Sequence, residues 1–227
     1  NNCTAALHLA LLCLEIKPGD EVIVSDYTFP ATGHAVKYCG ANPVFCDIDK
    51  QTYNLDAQKL EKLITPKTKA VIAVHAFGLP CEMDEILELT QKKDIPLIED
   101  AACASGAEYK GNKTGSFGKI SCFSFHARKN LTTGEGGMLM TNDEKIAEKA
   151  RSLSCFGMQS AFDRQNANRF NPPSFTMLGY NYKLSDILAS IGVVQLSKLD
   201  KMIEEKNKIS KIYLEELAEL DWVQLPE

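Results

Sequence analysis

The stretch Ser124-Phe125-His126-Ala127-Arg128-Lys129-Asn130-Leu131-Thr132-Thr133-Gly134-Glu135-Gly136-Gly137 gathers a lysine, an arginine, a histidine, several hydroxyls and a glycine cluster. A lysine that forms an imine must spend time neutral, and desolvation or nearby positive charge favours that form. Arg128 stands beside Lys129, and the apolar run Ile120–Phe125 leads into the segment. The glycines predict a backbone that comes close to a flat ligand without side-chain clash. Taken alone, Lys-x-x-x-Thr-Gly reads as a surface lysine in a turn.

Asp100 changes that balance. It ends the run Pro96–Asp100, read as a strand, and ligands in open α/β sheets lie beyond the carboxyl ends of strands. An aspartate placed there can keep a pyridine ring nitrogen protonated, which makes pyridoxal 5′-phosphate (PLP) an electron sink. Glu99 alternates to the other side and is the weaker candidate. Thr4 and Ala5 open the first helix, with Thr4 as its expected N-cap, and free N–H groups there suit a phosphate. Ser124 offers a second hydroxyl to the same group. Phe29 follows another strand end and offers a ring to stack on the pyridine. Each has a plainer reading, as a helix cap or a packed core residue.

The elements that must position these residues alternate along the chain. Strands are predicted at Glu21–Ser25, Pro43–Ile48, Lys69–His75, Pro96–Asp100, Ile120–Phe125 and Gly137–Met140. Helices are predicted from Thr4, over Ala31–Cys39, from Asp56 to Leu63, over Met83–Lys92 and near Asp143–Leu153. This order predicts an α/β fold, a mostly parallel central sheet flanked by helices. Residues 156–176, with Asn171-Pro172-Pro173, read as a loop, and one long helical region is expected over Ser185–Leu220.

Composition excludes several classes. The chain has 227 residues, 44% hydrophobic and 24% charged, with net charge -5, so no basic surplus favours nucleic acid. No apolar run reaches membrane-spanning length, and the opening Asn1-Asn2-Cys3-Thr4 shows no signal peptide. The eight cysteines form no CxxC pair and several sit in apolar runs, which predicts reduced, buried thiols and a cytoplasmic protein. No G-x-G-x-x-G follows the first strand, which disfavours a Rossmann dehydrogenase.

Taken together, the segments CTAALHLAL (3–11), GDEVIVSDYTFPAT (19–32), GANPVFCDID (40–49), ITPKTKAVIAVHAFG (64–78), IEDAACASGAEYKG (98–111), GSFGKISCFSFHARKNLTTGEGGMLMTND (115–143) and LGYNYKLSDILASIGVVQL (178–196) carry a likeness. The chain resembles the DegT/DnrJ/EryC1/StrS family, PLP-dependent sugar aminotransferases of the aspartate aminotransferase-like, fold type I superfamily. The resemblance implies that Lys129 is the Schiff-base lysine and Asp100 the partner of the pyridinium nitrogen. Thr4, Ala5 and Ser124 match the phosphate cradle, and Phe29 the stacking ring. Cys103 stands where a glutamine often reaches the cofactor's phenolic oxygen, Cys3 where glycine is common, and Ala127 where proline is common. His126 lies close to the Schiff base in the motif, either as a cofactor contact or as a packed histidine. Asn181, assisted by Lys183, matches a residue that reaches the phosphate of the neighbouring subunit, which implies a homodimer with sites at the interface.

The same resemblance implies a division into a PLP-binding large domain, residues 1–183, and a long helix, residues 184–227, leading toward a small C-terminal domain. The implied reaction moves an amino group from L-glutamate to a nucleotide-linked keto-deoxy sugar, in amino-sugar or cell-surface polysaccharide biosynthesis. Lys129 argues against the related sugar dehydratases, which carry histidine there. An aminotransferase acting on a cyclitol or another ketone, or a non-catalytic regulatory relative, are the alternatives.

Overall fold

The computed structural model describes residues 1–159 and 172–225. Six strands form one sheet in the order β2-β1-β3-β4-β7-β8: β1 Glu21–Ser25, β2 Asn42–Cys46, β3 Thr68–Val74, β4 Leu97–Asp100, β7 Ile120–Ser124 and β8 Gly137–Met140. All neighbours run parallel except β8, which is antiparallel to β7. Period-two alternation divides the strand residues between two cores. Val22 and Val24 of β1 pack with α1 (Cys3–Cys13), α2 (Ala31–Tyr38) and α5 (Glu144–Ser154), joined by Ala70, Ile72, Ile98 and Ile120. Ile23 faces the other way, with Val71, Ala73 and Leu97, toward α3 (Ala57–Leu63) and α4 (Met83–Lys92). Strands buried on both faces read as continuous apolar runs, which is how β1 and β3 are written.

Caps fix the helix starts. The Asp56 carboxylate accepts from the N–H groups of Gln58 and Lys59, and Asp143 from those of Lys145 and Ile146. At α1 the expected cap is corrected: Asn2, not Thr4, caps the helix, its side chain accepting from Ala5 N at 2.8 Å. Both residue types cap well; Asn2 prevails because its extended backbone (φ -162°, ψ 170°) lets its carbonyl accept from Ala6 N, placing Thr4 inside the first turn.

Two short hairpins lie outside the main sheet: β5 Glu108–Tyr109 with β6 Asn112–Lys113, and β9 Met158–Gln159 with β10 Ser174–Phe175. The second revises the loop expected over 156–176, whose middle, 160–171, lies outside the described residues. The long helix expected over Ser185–Leu220 is two helices, α6 Asp186–Leu196 and α7 Leu199–Leu217. At the break, Lys198 N turns back to Gln195 O and the Ser197 hydroxyl donates to Val194 O. The turn brings Leu199 inward; it is the one buried residue described on α7. Among the described residues, no helix is long and apolar enough to cross a membrane.

Candidate active site

Parallel pairing sets the carboxyl ends of β1, β3, β4 and β7 along one edge, with Val74 beside Asp100 and Asp100 beside Cys122. Beyond that edge lies a cavity of about 800 Å³. Its lining brings together Thr4, Phe29, Asp100, Cys103, Ser124, His126 and Lys129 from four separate segments. Ala5 and Asn181 are not among its lining residues. The Ala5 N–H is already taken by Asn2, and the Asn181 Oδ1 accepts from Lys183 Nζ at 2.6 Å.

Asp100 is buried and aimed at this space. One carboxylate oxygen accepts from the Thr32 hydroxyl at 2.8 Å, and the other from the Ala102 N–H at 3.2 Å. Burial pushes its pKa above the usual 3.8, while the hydrogen bonds from Thr32 and Ala102 and the charge of Lys129 pull part of the way back. A desolvated carboxylate short of counter-charge is a good partner for a cationic ring N–H. Lys129 Nζ donates to the Cys103 thiol at 3.0 Å, so the cysteine found at the glutamine position touches the lysine. Cys103 is exposed and Cys155 half-buried, which departs from the expectation of buried thiols; the other six are buried.

His126 shapes the turn that presents the lysine. Its carbonyl accepts from Lys129 N at 2.9 Å and its Nδ1 from Arg128 N at 3.3 Å, while Nε2 lies 3.6 Å from Glu135. Two of the glycines allow close packing within the protein itself. A Cβ on Gly137 would collide with the Asn2 carbonyl carbon, and one on Gly136 with the Thr133 hydroxyl. Glycine at 137 therefore lets β8 press against the start of α1, which seats the helix N-terminus at the cavity; the close approach is to protein backbone.

Sequence reasoning missed the support beneath the site. Glu99 and His75 are both fully buried, with His75 Nε2 3.0 Å from Glu99 Oε2. His75 Nδ1 accepts from Cys81 N at 3.1 Å, so Nε2 carries the proton and donates to Glu99. Glu99 also accepts from the N–H groups of Gly115, Phe117 and Gly118 at 2.7, 2.8 and 2.6 Å. Burial works to raise the Glu99 pKa, but these donors outweigh it and hold the carboxyl below its usual 4.5. The paired carboxylates of the run Leu97–Asp100 were the available signal.

Residues 1–227 match the model of the DegT/DnrJ/EryC1/StrS aminotransferase family throughout. The chain belongs to that family. GDP-perosamine synthase of Caulobacter vibrioides is 46% identical over 97% of this chain and 57% of its own length. The aminotransferase from Psychrobacter cryohalolentis is 35% identical with a TM-score of 0.95, covering all of this chain and 59% of that one. Spr1654 from Streptococcus pneumoniae, solved in a PLP form, is 33% identical with a TM-score of 0.88, covering 96% of this chain and 59% of that one. The family member described here thus spans under two thirds of the length of the relatives it matches. Its cavity fits PLP: a reachable lysine amine, a buried acid short of counter-charge, and a helix N-terminus beside the Ser124 hydroxyl.

Proposed function

We propose that this chain is the cofactor-binding large domain, residues 1–183, of a PLP-dependent aminotransferase, with residues 184–227 leading toward a small C-terminal domain. The full protein transfers an amino group from L-glutamate to a nucleotide-linked keto-deoxy sugar, in amino-sugar or cell-surface polysaccharide biosynthesis. The observation that carries this reading is Lys129 and Asp100 lining one cavity, Asp100 at the end of β4 and Lys129 after its neighbour β7.

PLP, when bound, supplies an electron sink that lets a proton leave the carbon bearing the amino group. Each residue then has a task. Lys129 Nζ holds the cofactor and, once freed, moves that proton as base and then acid. Asp100, held by Thr32 and Ala102, keeps the ring nitrogen protonated. Thr4, at the start of α1, and the Ser124 hydroxyl hold the phosphate. Phe29 covers one ring face, Cys103 donates toward the phenolic oxygen, and His126 holds the turn that aims Lys129.

The protein works as a homodimer in the cytoplasm, with Asn181 and Lys183 reaching the partner's site. The dimer is supported by α6, which exposes Ile187, Val193 and Leu196 and buries none of its residues. The eight unpaired thiols support the compartment. The test is the absorption spectrum of the full-length protein with PLP, before and after L-glutamate. A visible band that shifts on adding L-glutamate supports the reading; a bound-cofactor band that L-glutamate leaves unchanged rejects this amino donor.

A further inference from the structure

Three aromatic rings stand together at the rim of the cavity. Tyr27 follows β1, Tyr53 lies between β2 and α3, and Phe77 sits in the turn after β3. Their centroids lie 5.5 Å (Tyr27–Tyr53), 6.0 Å (Tyr27–Phe77) and 6.2 Å (Tyr53–Phe77) apart. All three are exposed, Phe77 to 75%. Single exposed aromatics are ordinary, but a contiguous set bordering a cavity marks a binding surface. Tyr27 and Phe77 line the same cavity as Lys129.

The backbone supplies a second, independent observation. Tyr53 has φ +59° and Phe77 φ +54°, a region strained for bulky side chains. Such strain persists only where its surroundings over-determine it, and it gathers at ligand clamps. Here the clamp is Asn54, 3% exposed. Its Oδ1 accepts from Ala76 N at 2.9 Å, and its Nδ2 donates to the carbonyls of Leu79 and Pro80, each at 3.1 Å. One buried amide therefore ties the loop of Tyr53 to the turn of Phe77 and fixes the two rings relative to each other. Glycine at either position would give the same turn without strain, so folding alone does not call for the rings.

We propose that Tyr27, Tyr53 and Phe77 form the platform on which the nucleobase of the sugar-nucleotide substrate stacks. This rests on the keto-sugar reading above and adds where the far end of that substrate lies. The keto carbon must reach Lys129, so a base attached through a diphosphate extends outward, to the rim where the rings stand. Stacking on fixed aromatics suits any base, because each has a π-face. Arg128 lines the same cavity and matches the charge of the intervening diphosphate.

The test uses the full-length, PLP-loaded protein and calorimetric titration with GDP, UDP and dTDP as probes. The informative variants are Phe77→Gly and Tyr53→Gly, which delete a ring and relieve the left-handed strain together. With the ring gone, affinity for the nucleotide that binds falls roughly five- to a hundredfold. The melting temperature holds or rises, and the PLP absorption band is unchanged. Phe77→Tyr restores binding. If the parent protein binds none of the three nucleotides, the sugar-nucleotide reading itself falls, and this assignment with it. If it binds one and both glycine variants bind it equally well, only the platform is overturned. Loss of the dimer in the glycine variants, with nucleotide affinity intact, would assign the rings to a protein interface instead.

Discussion

Replacing Glu99 tests whether the buried pair beneath the site carries the stability its geometry implies. Glu99→Ala leaves four donors without an acceptor: the buried His75 Nε2 and the part-buried N–H groups of Gly115, Phe117 and Gly118. An unsatisfied buried donor costs about 1–3 kcal/mol. Water entering the vacated space rescues some of them, so the expected loss is about 2–4 kcal/mol. Glu99→Gln keeps the shape but not the logic. One amide oxygen still serves two donors, while the amide NH2 meets the other two head-on. His75 cannot relieve the clash by changing tautomer, because Nδ1 already accepts from Cys81 N. The glutamine variant therefore loses about 2 kcal/mol or more.

Thermal unfolding of the full-length, PLP-free protein reads both variants, with bound ligand removed as a source of stabilisation. Glu99→Ala should lower Tm by on the order of 10 °C. The pH dependence has a definite sign. A carboxyl held below its unfolded value stabilises the fold fully above that value, near 4.5, and loses the contribution as pH falls through its lower folded value. The native protein should lose this share below pH 4.5, and Glu99→Gln should lack it. A Glu99→Ala protein melting within about 2 °C of native would show that the donors find other partners and that the pair is dispensable.

Three other outcomes follow. Lys129→Ala should cut turnover by at least about a thousandfold while retaining some PLP affinity, read by steady-state rate and equilibrium dialysis; undiminished turnover would refute its role. Asp100→Asn should stabilise the PLP-free protein near neutral pH and weaken PLP binding. A buried acid with a raised pKa costs stability as pH climbs above its unfolded value near 3.8, and the amide removes the cost; a variant that binds PLP as tightly as native would reject the ring-nitrogen role. Asp143→Ala should cost about 1 kcal/mol through the lost cap of α5, measured by urea unfolding, with PLP affinity unchanged.

The parallel sheet was legible because its strands are short apolar runs separated by strong punctuation. Gly19-Asp20 precedes β1, Asp56 caps α3, and the limits of β1, β8 and α4 agree with the reading from periodicity. The site residues on strand ends were legible for the same reason: topology sets every such end at one edge. What escaped depends on contacts between distant segments. Asn2 and Thr4 are both good caps, and only the backbone path chooses between them. The α6–α7 break carries no glycine or proline; it goes with the burial of Leu199 beside Gly106. Tyr27, Tyr53 and Phe77 come from three different loops, and no local pattern joins them.

Strand β4 shows how a sheet supports chemistry with so few residues. Its last two side chains alternate, as any strand's must, and both are carboxylates. Glu99 turns toward the α4 side, where one imidazole and three backbone N–H groups surround it, and its pKa falls. Asp100 turns toward the cavity, where one hydroxyl, one N–H and the weak Cys3 thiol donor do not offset its burial, and its pKa rises. The two are also linked through the backbone, since His75 N donates to the Asp100 carbonyl while its ring donates to Glu99. The saturated acid therefore stiffens the frame from which the unsaturated one is presented. That difference in satisfaction, rather than residue type, separates the acid that holds the fold from the acid proposed to face the cofactor.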